Sequence, residues 1–152
     1  MSLRVACHQP NYAPWCGFFA KLAAADVLVI LDDVQLPLGR SYVTRTAILG
    51  PESTDPTVTT AWLSIPAVRS AGQRICDVRF AEAGWARRHL STLRTRYGRT
   101  PCFREVYDIL APIYSDDAAT ENAALLYQFN LQPEGGHKMP AFINLQQYYC
   151  EE

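Results

Sequence analysis

The sequence has no surplus of one charge, no closely spaced cysteine pair and no apolar run long enough to cross a bilayer. Its 14 basic and 15 acidic side chains leave a formal net charge of −1, so no global field gathers nucleic acid or an anionic membrane. The five cysteines, Cys7, Cys16, Cys76, Cys102 and Cys150, are scattered and form no CxxC pair. A disulfide framework or a structural zinc site needs closer, even spacing, so reduced thiols are expected. No segment approaches the roughly 20 apolar residues of a membrane span. Met1-Ser2-Leu3-Arg4 lacks the basic patch and longer apolar core of a signal peptide, and the expectation is a cytoplasmic protein without membrane insertion. Lysine is scarce, present as Lys21 and Lys138 alone. The arginine bias reads first as a GC-rich coding sequence and second as a preference for planar anions.

What is present suffices for one folded unit. With 152 residues and 49% hydrophobic content, the chain can bury one core of ordinary domain size. Leu3 to Cys7 reads as a strand that opens into a loop at His8-Gln9-Pro10, where proline removes a donor. Gly17 to Ala25 has helical spacing, and Val27 to Leu31 is an uninterrupted apolar strand of the kind buried on both faces of a parallel sheet. Together they make a βαβ unit. Further strands are expected at Ser41 to Leu49, Trp62 to Pro66 and, by alternation, Ile75 to Phe80. Helices are expected at Gly84 to Tyr97, Phe103 to Tyr114 and Asp116 to Phe129, the last with Ser115 as its N-cap. The fold class is therefore α/β, an open, mostly parallel Rossmann-like sheet followed by a helical part, with residues 1–130 as the domain and 131–152 as an irregular tail.

The string His8-Gln9-Pro10-Asn11-Tyr12-Ala13-Pro14-Trp15 concentrates polar and aromatic groups in one turn between a strand and a helix. Strand exits followed by helix N-termini are common places for anionic ligands in open α/β sheets. His8 is the candidate general acid or base, while Gln9, Asn11, Tyr12, Trp15, Gly17 and Lys21 are candidate ligand contacts. The alternative is that backbone groups satisfy His8 and Tyr12 and that Trp15 is plain core. Asp32 and Asp33 end the second strand and suit a divalent metal or a ribose hydroxyl, or else a solvated turn. Gln35, Arg40 and Arg45 follow. A strand over 41–49 puts Arg40, Tyr42 and Thr44 on one face and Arg45 on the other, which weakens a two-arginine phosphate clamp. His89 lies on the apolar stripe of its helix and reads as a packed residue, and Cys16 reads as packing rather than as a nucleophile.

HQPNYAPWCGFF, with Lys21, Ala25-Asp26 and LVILDDVQ behind it, resembles the start of the WbqC-like protein family. Arg40-Ser41-Tyr42-Val43-Thr44-Arg45, Trp62 to Pro66, and the pattern Trp85, His89-Leu90, Tyr97, Pro101 and Phe103 follow in the family's order, so the resemblance covers roughly residues 3–130. It implies a role in surface-polysaccharide or O-antigen synthesis, acting as a transferase on an activated sugar or a similar phosphorylated small molecule, and it allows a homo-oligomer. The family's second half, with further glycine and tyrosine motifs, has no counterpart here, which leaves a non-catalytic binding module as an alternative. A tailoring enzyme of natural-product assembly is another. A weaker analogy connects Trp15-Cys16-Gly17-Phe18 with the HxGH motif of nucleotidylyltransferases. The glycine is in register, but both motif histidines are absent.

Overall fold

The computed structural model describes residues 2–51 and 60–115, and the backbone of Ala141–Asn144. Strand β1 (Val5–His8), helix α1 (Cys16–Ala24) and strand β2 (Val27–Ile30) form the expected βαβ unit, with β1 and β2 parallel and Val5 opposite Val27. Strand β5 (Ala141–Asn144) pairs with the other side of β2, also parallel, giving the order β1-β2-β5. This strand falls inside the segment that the sequence presents as an irregular tail. Flanked on both edges, β2 buries Val27, Leu28 and Ile30, as its uninterrupted apolar run requires. Phe18 and Leu22, one turn apart on α1, pack with Ala6, Leu28 and Ile30 in a small core.

A second, larger core lies under an antiparallel hairpin of β3 (Arg45–Leu49) and β4 (Thr60–Ser64) and against helices α2 (Trp85–Tyr97) and α3 (Phe103–Ser115). Trp85, Ile75, Leu36 and Tyr12 are fully enclosed there. Tyr12 therefore carries the turn after β1 into a core built mostly by later elements.

Two local expectations are corrected. Residues 41–44 form a turn, and the strand begins only at Arg45. The Ser41 hydroxyl accepts the Val43 N–H at 3.2 Å, giving the backbone a local alternative to ladder pairing. Residues 75–80 are not a strand: Ile75–Asp77 is a single 3₁₀ turn, and Phe80 makes an isolated bridge to Ala67. Ile75 and Val78 are the buried positions, and their spacing of three fits that turn. The Arg74–Asp77 ion pair, 2.8 Å, closes it from outside. The helix expected over 116–129 lies outside the described residues. Ser115 ends α3, and its hydroxyl donates to the Ala111 carbonyl.

Candidate functional site

The turn after β1 divides its side chains between two destinations. Asn11 and Tyr12 go inward and are buried, while Trp15 stays 51% exposed. Ala13, between them, has φ of 44°, a left-handed conformation that costs a β-carbon residue on the order of 1 kcal/mol. Thr46 of β3 donates its hydroxyl to the Ala13 carbonyl at 3.0 Å and holds the kink in place. The Tyr12 N–H also donates to the Tyr42 carbonyl, tying this turn to the one before β3.

On the outer side an aromatic shelf results. The rings of His8 and Trp15 lie 6.1 Å apart, Trp15 and Tyr42 5.6 Å, and Tyr42 and Trp62 5.7 Å. Tyr42 and Trp62 are 47% and 45% exposed, so this line of rings faces solvent and is not core. The Arg45 guanidinium stacks over Trp62 at 3.9 Å from the ring centroid, a cation–π contact, and its buried Nε has no hydrogen-bond partner among the described residues. His8 Nδ1 donates to the Gln9 carbonyl at 2.7 Å, which makes Nε2 the lone-pair nitrogen of the neutral ring. Gly17 has a structural reason: a side chain there would collide with the Trp15 indole, so the glycine seats one end of the shelf.

On the inner side lies a polar chain. His89 Nε2 faces the Ser64 carbonyl at 3.1 Å and must carry the proton, which leaves Nδ1 as an acceptor for the Tyr12 hydroxyl at 2.7 Å. Tyr12 has then spent its proton, so the short hydrogen bond between the two phenols is donated by Tyr114. Burial lowers the His89 pKa from 6.5 to about 4 and keeps the ring neutral. Burial also raises both tyrosine hydroxyls, Tyr12 with the added field of Tyr114.

Between shelf and chain is a cavity of about 330 Å³. Ala13, Pro14 and Trp15 form one wall, β3 another, and α2 and α3 the rest, with Tyr114 reaching it from the buried chain.

The remaining sequence candidates do not join the shelf. Lys21 donates to the Cys7 carbonyl at 3.0 Å and fastens α1 to β1. Asp32 is fully buried, and its backbone carbonyl accepts the Cys76 N–H. Asp33 is exposed, so the two neighbouring carboxylates occupy different environments. Among the described residues, no group of three or more His, Cys, Asp or Glu is placed to hold a metal. Gln35 bridges Arg74 through the backbone, and Arg40 is exposed with no side-chain contact to the shelf among the described residues. Cys16, read as packing, is exposed at the start of α1, and the four described cysteines are free.

Sequence reasoning missed Tyr114, Trp62 and Arg69 as members of this arrangement. Arg69 donates to the carbonyls of Pro37, Leu38 and Gly39 and to the Thr44 hydroxyl, clamping the segment that carries Arg40 and Tyr42. No spacing in the sequence marks it. For Tyr114, its place on the apolar stripe of α3 was the available signal.

Among the described residues no helix is long and apolar enough to cross a membrane. The chain is 32% identical over 126 residues to the uncharacterized protein Rv1507c of Mycobacterium tuberculosis (strain ATCC 25618 / H37Rv). That match covers 81% of this chain and 51% of the relative, so the chain spans about half the length of the curated relative. No solved structure gives a significant match. Residues 9–132, which include the turn after β1, the shelf rings of Trp15, Tyr42 and Trp62, the buried chain and the cavity, match the WbqC-like protein family, and the chain belongs to that family.

Proposed function

We propose that the chain binds a sugar-linked or otherwise phosphorylated small metabolite on the Trp15–Tyr42–Trp62 shelf and acts on it as a transferase of surface-polysaccharide or O-antigen assembly. One observation carries the ligand chemistry: three solvent-facing rings in contact, with the Arg45 guanidinium stacked at one end. Aromatic faces receive the C–H face of a sugar or the plane of a base, and the guanidinium fork receives a phosphate oxygen. The biosynthetic context comes from the family resemblance alone.

His8 stands at the opposite end of the shelf, and its Nε2 is the atom left to accept or return a proton. Gln9 fixes that tautomer, and Asn11 and Tyr12 act from below as supports. Asp33, Gln35 and Arg40 stand off the shelf and have no part in this reading. The parallel β1-β2-β5 order supports a Rossmann-like reading of this part of the fold. A nucleotidylyltransferase mechanism lacks both histidines it needs. The uncharged cavity beside the shelf favours, as a second reading, a tailoring enzyme acting on an apolar small molecule.

The test is calorimetric titration with a panel of nucleoside-diphosphate sugars, with and without magnesium, beside a product assay. Saturable binding is expected, weakened about tenfold by Arg45→Ala or Trp62→Ala, an order of 1.4 kcal/mol. His8→Ala should bind but not turn over. Binding without product in the native chain favours the non-catalytic module, and binding indifferent to both shelf variants removes the shelf.

A further inference from the structure

We infer that the cavity beneath Trp15 is a separate site for a neutral aromatic ring bearing a hydrogen-bond acceptor, such as a ring carbonyl or ether oxygen. The inference goes beyond the shelf and does not depend on what the shelf binds. At about 330 Å³ the cavity is at the lower end of the roughly 300–1,000 Å³ typical of small-molecule sites. It therefore takes one compact ring system and is too small for a helix or a protein loop. Its walls carry the rings of Trp15, Tyr97, Phe103, Tyr107 and Tyr114, and no lining residue is charged. A phosphate or carboxylate placed there would be desolvated without a counter-charge, which excludes the ligand class proposed for the shelf. Aromatic walls favour an aromatic guest through edge-to-face and offset contacts; Phe103 and Tyr107, 5.3 Å apart and tilted by 44°, already form a ring contact on one wall.

One polar feature narrows the class further. The Tyr97 hydroxyl accepts the Leu49 N–H at 2.7 Å, which occupies a lone pair and leaves its own proton to donate. A guest that offers an oxygen acceptor satisfies that proton, and a pure hydrocarbon does not. The strained Ala13 and the Thr46 that holds it line adjoining walls, so the turn that seats Trp15 on the shelf also shapes the cavity.

Ligand-observed NMR titration of the full chain with coumarin, and with naphthalene as its acceptor-free counterpart, tests the site. Saturable binding of both is expected, tighter for coumarin. Tyr97→Phe should reduce coumarin affinity several-fold to the level of naphthalene and leave naphthalene unchanged. Val106→Trp, at an exposed lining position of α3, should abolish both, and Ala47→Phe should do the same from β3. Arg45→Ala should change neither, which separates this site from the shelf. Thermal unfolding establishes that each variant is folded, and the two plugging variants lie on different elements. Absence of saturable binding, or binding that survives both folded plugging variants, overturns the inference. So does equal loss of both probes in Arg45→Ala.

Discussion

The single proton of the Tyr12 hydroxyl lies between His89 and Tyr114, and that fact sets the direction of the whole buried chain. With His89 Nε2 committed to the Ser64 carbonyl, the order of donation runs from Tyr114 to Tyr12 to His89. Tyr12→Phe removes the donor to His89 Nδ1 and the acceptor of the Tyr114 hydrogen bond inside the core, where Tyr12 is fully enclosed. The expected loss is about 1–3 kcal/mol of stability in urea unfolding. A matching loss in Tyr114→Phe and a coupling near 1 kcal/mol in the double-mutant cycle complete the prediction, and additive single losses would contradict it. Gly17→Ala makes the opposite kind of change. Trp15 is exposed, so the indole can swing away at little cost to stability, but the end of the shelf goes with it. Near-native unfolding together with an altered Trp15 fluorescence signal is expected, and an unchanged indole environment would show that the glycine does not seat it.

At the scale of elements, the segment between β2 and β3 is held by another part of the chain rather than by itself. Arg69 gathers three successive carbonyls and the Thr44 hydroxyl, a role that Lys cannot copy with its single ammonium. Arg69→Ala should speed amide exchange across residues 37–44 by about tenfold or more, with a smaller effect on β1 and β2. Exchange unchanged there would mean that the Ser41 turn alone holds the segment. How legible these elements are in the sequence depends on their kind. β2 follows from its uninterrupted apolar run, and α1, α2 and α3 from apolar residues at helical spacing, because each element's own pattern marks the face it buries whichever partner covers it. The 41–44 turn and the 3₁₀ turn at Ile75–Asp77 do not, because a serine hydroxyl and an i,i+3 ion pair outbid the pattern. The site divides in the same way. His8, Trp15 and Arg45 were legible as residue types, whereas Trp62 entered only when the hairpin register placed β4 beside β3.

For the whole molecule, the neutral His89 makes stability depend on pH. Its folded pKa, about 4, is below the ordinary 6.5, so below pH 6.5 the unfolded chain binds more protons than the folded one. Stability is therefore greatest above that value, declines as pH falls from 6.5 toward 4, and loses on the order of 3 kcal/mol over the window before this contribution levels off. Urea midpoints measured from pH 7.5 to 4 should fall accordingly, and His89→Gln should flatten the fall although it lowers stability at neutral pH. The exposed Asp26 adds a contribution only at lower pH, since its partner Arg4 holds it at about 2. A midpoint that rises on acidification would contradict a neutral buried imidazole.

The sequence by itself determined the βαβ start, the buried character of β2, helices α2 and α3 and the family, because these depend on local periodicity and on motifs contiguous in the chain. Only tertiary structure decided what the turn after β1 does. Its residues are neighbours in sequence, but the kink at Ala13 sends Tyr12 into a core made by α2 and α3 and leaves Trp15 outside against Tyr42. A one-dimensional pattern carries no sign for that division, which depends on where distant side chains supply a hydrogen bond or a ring.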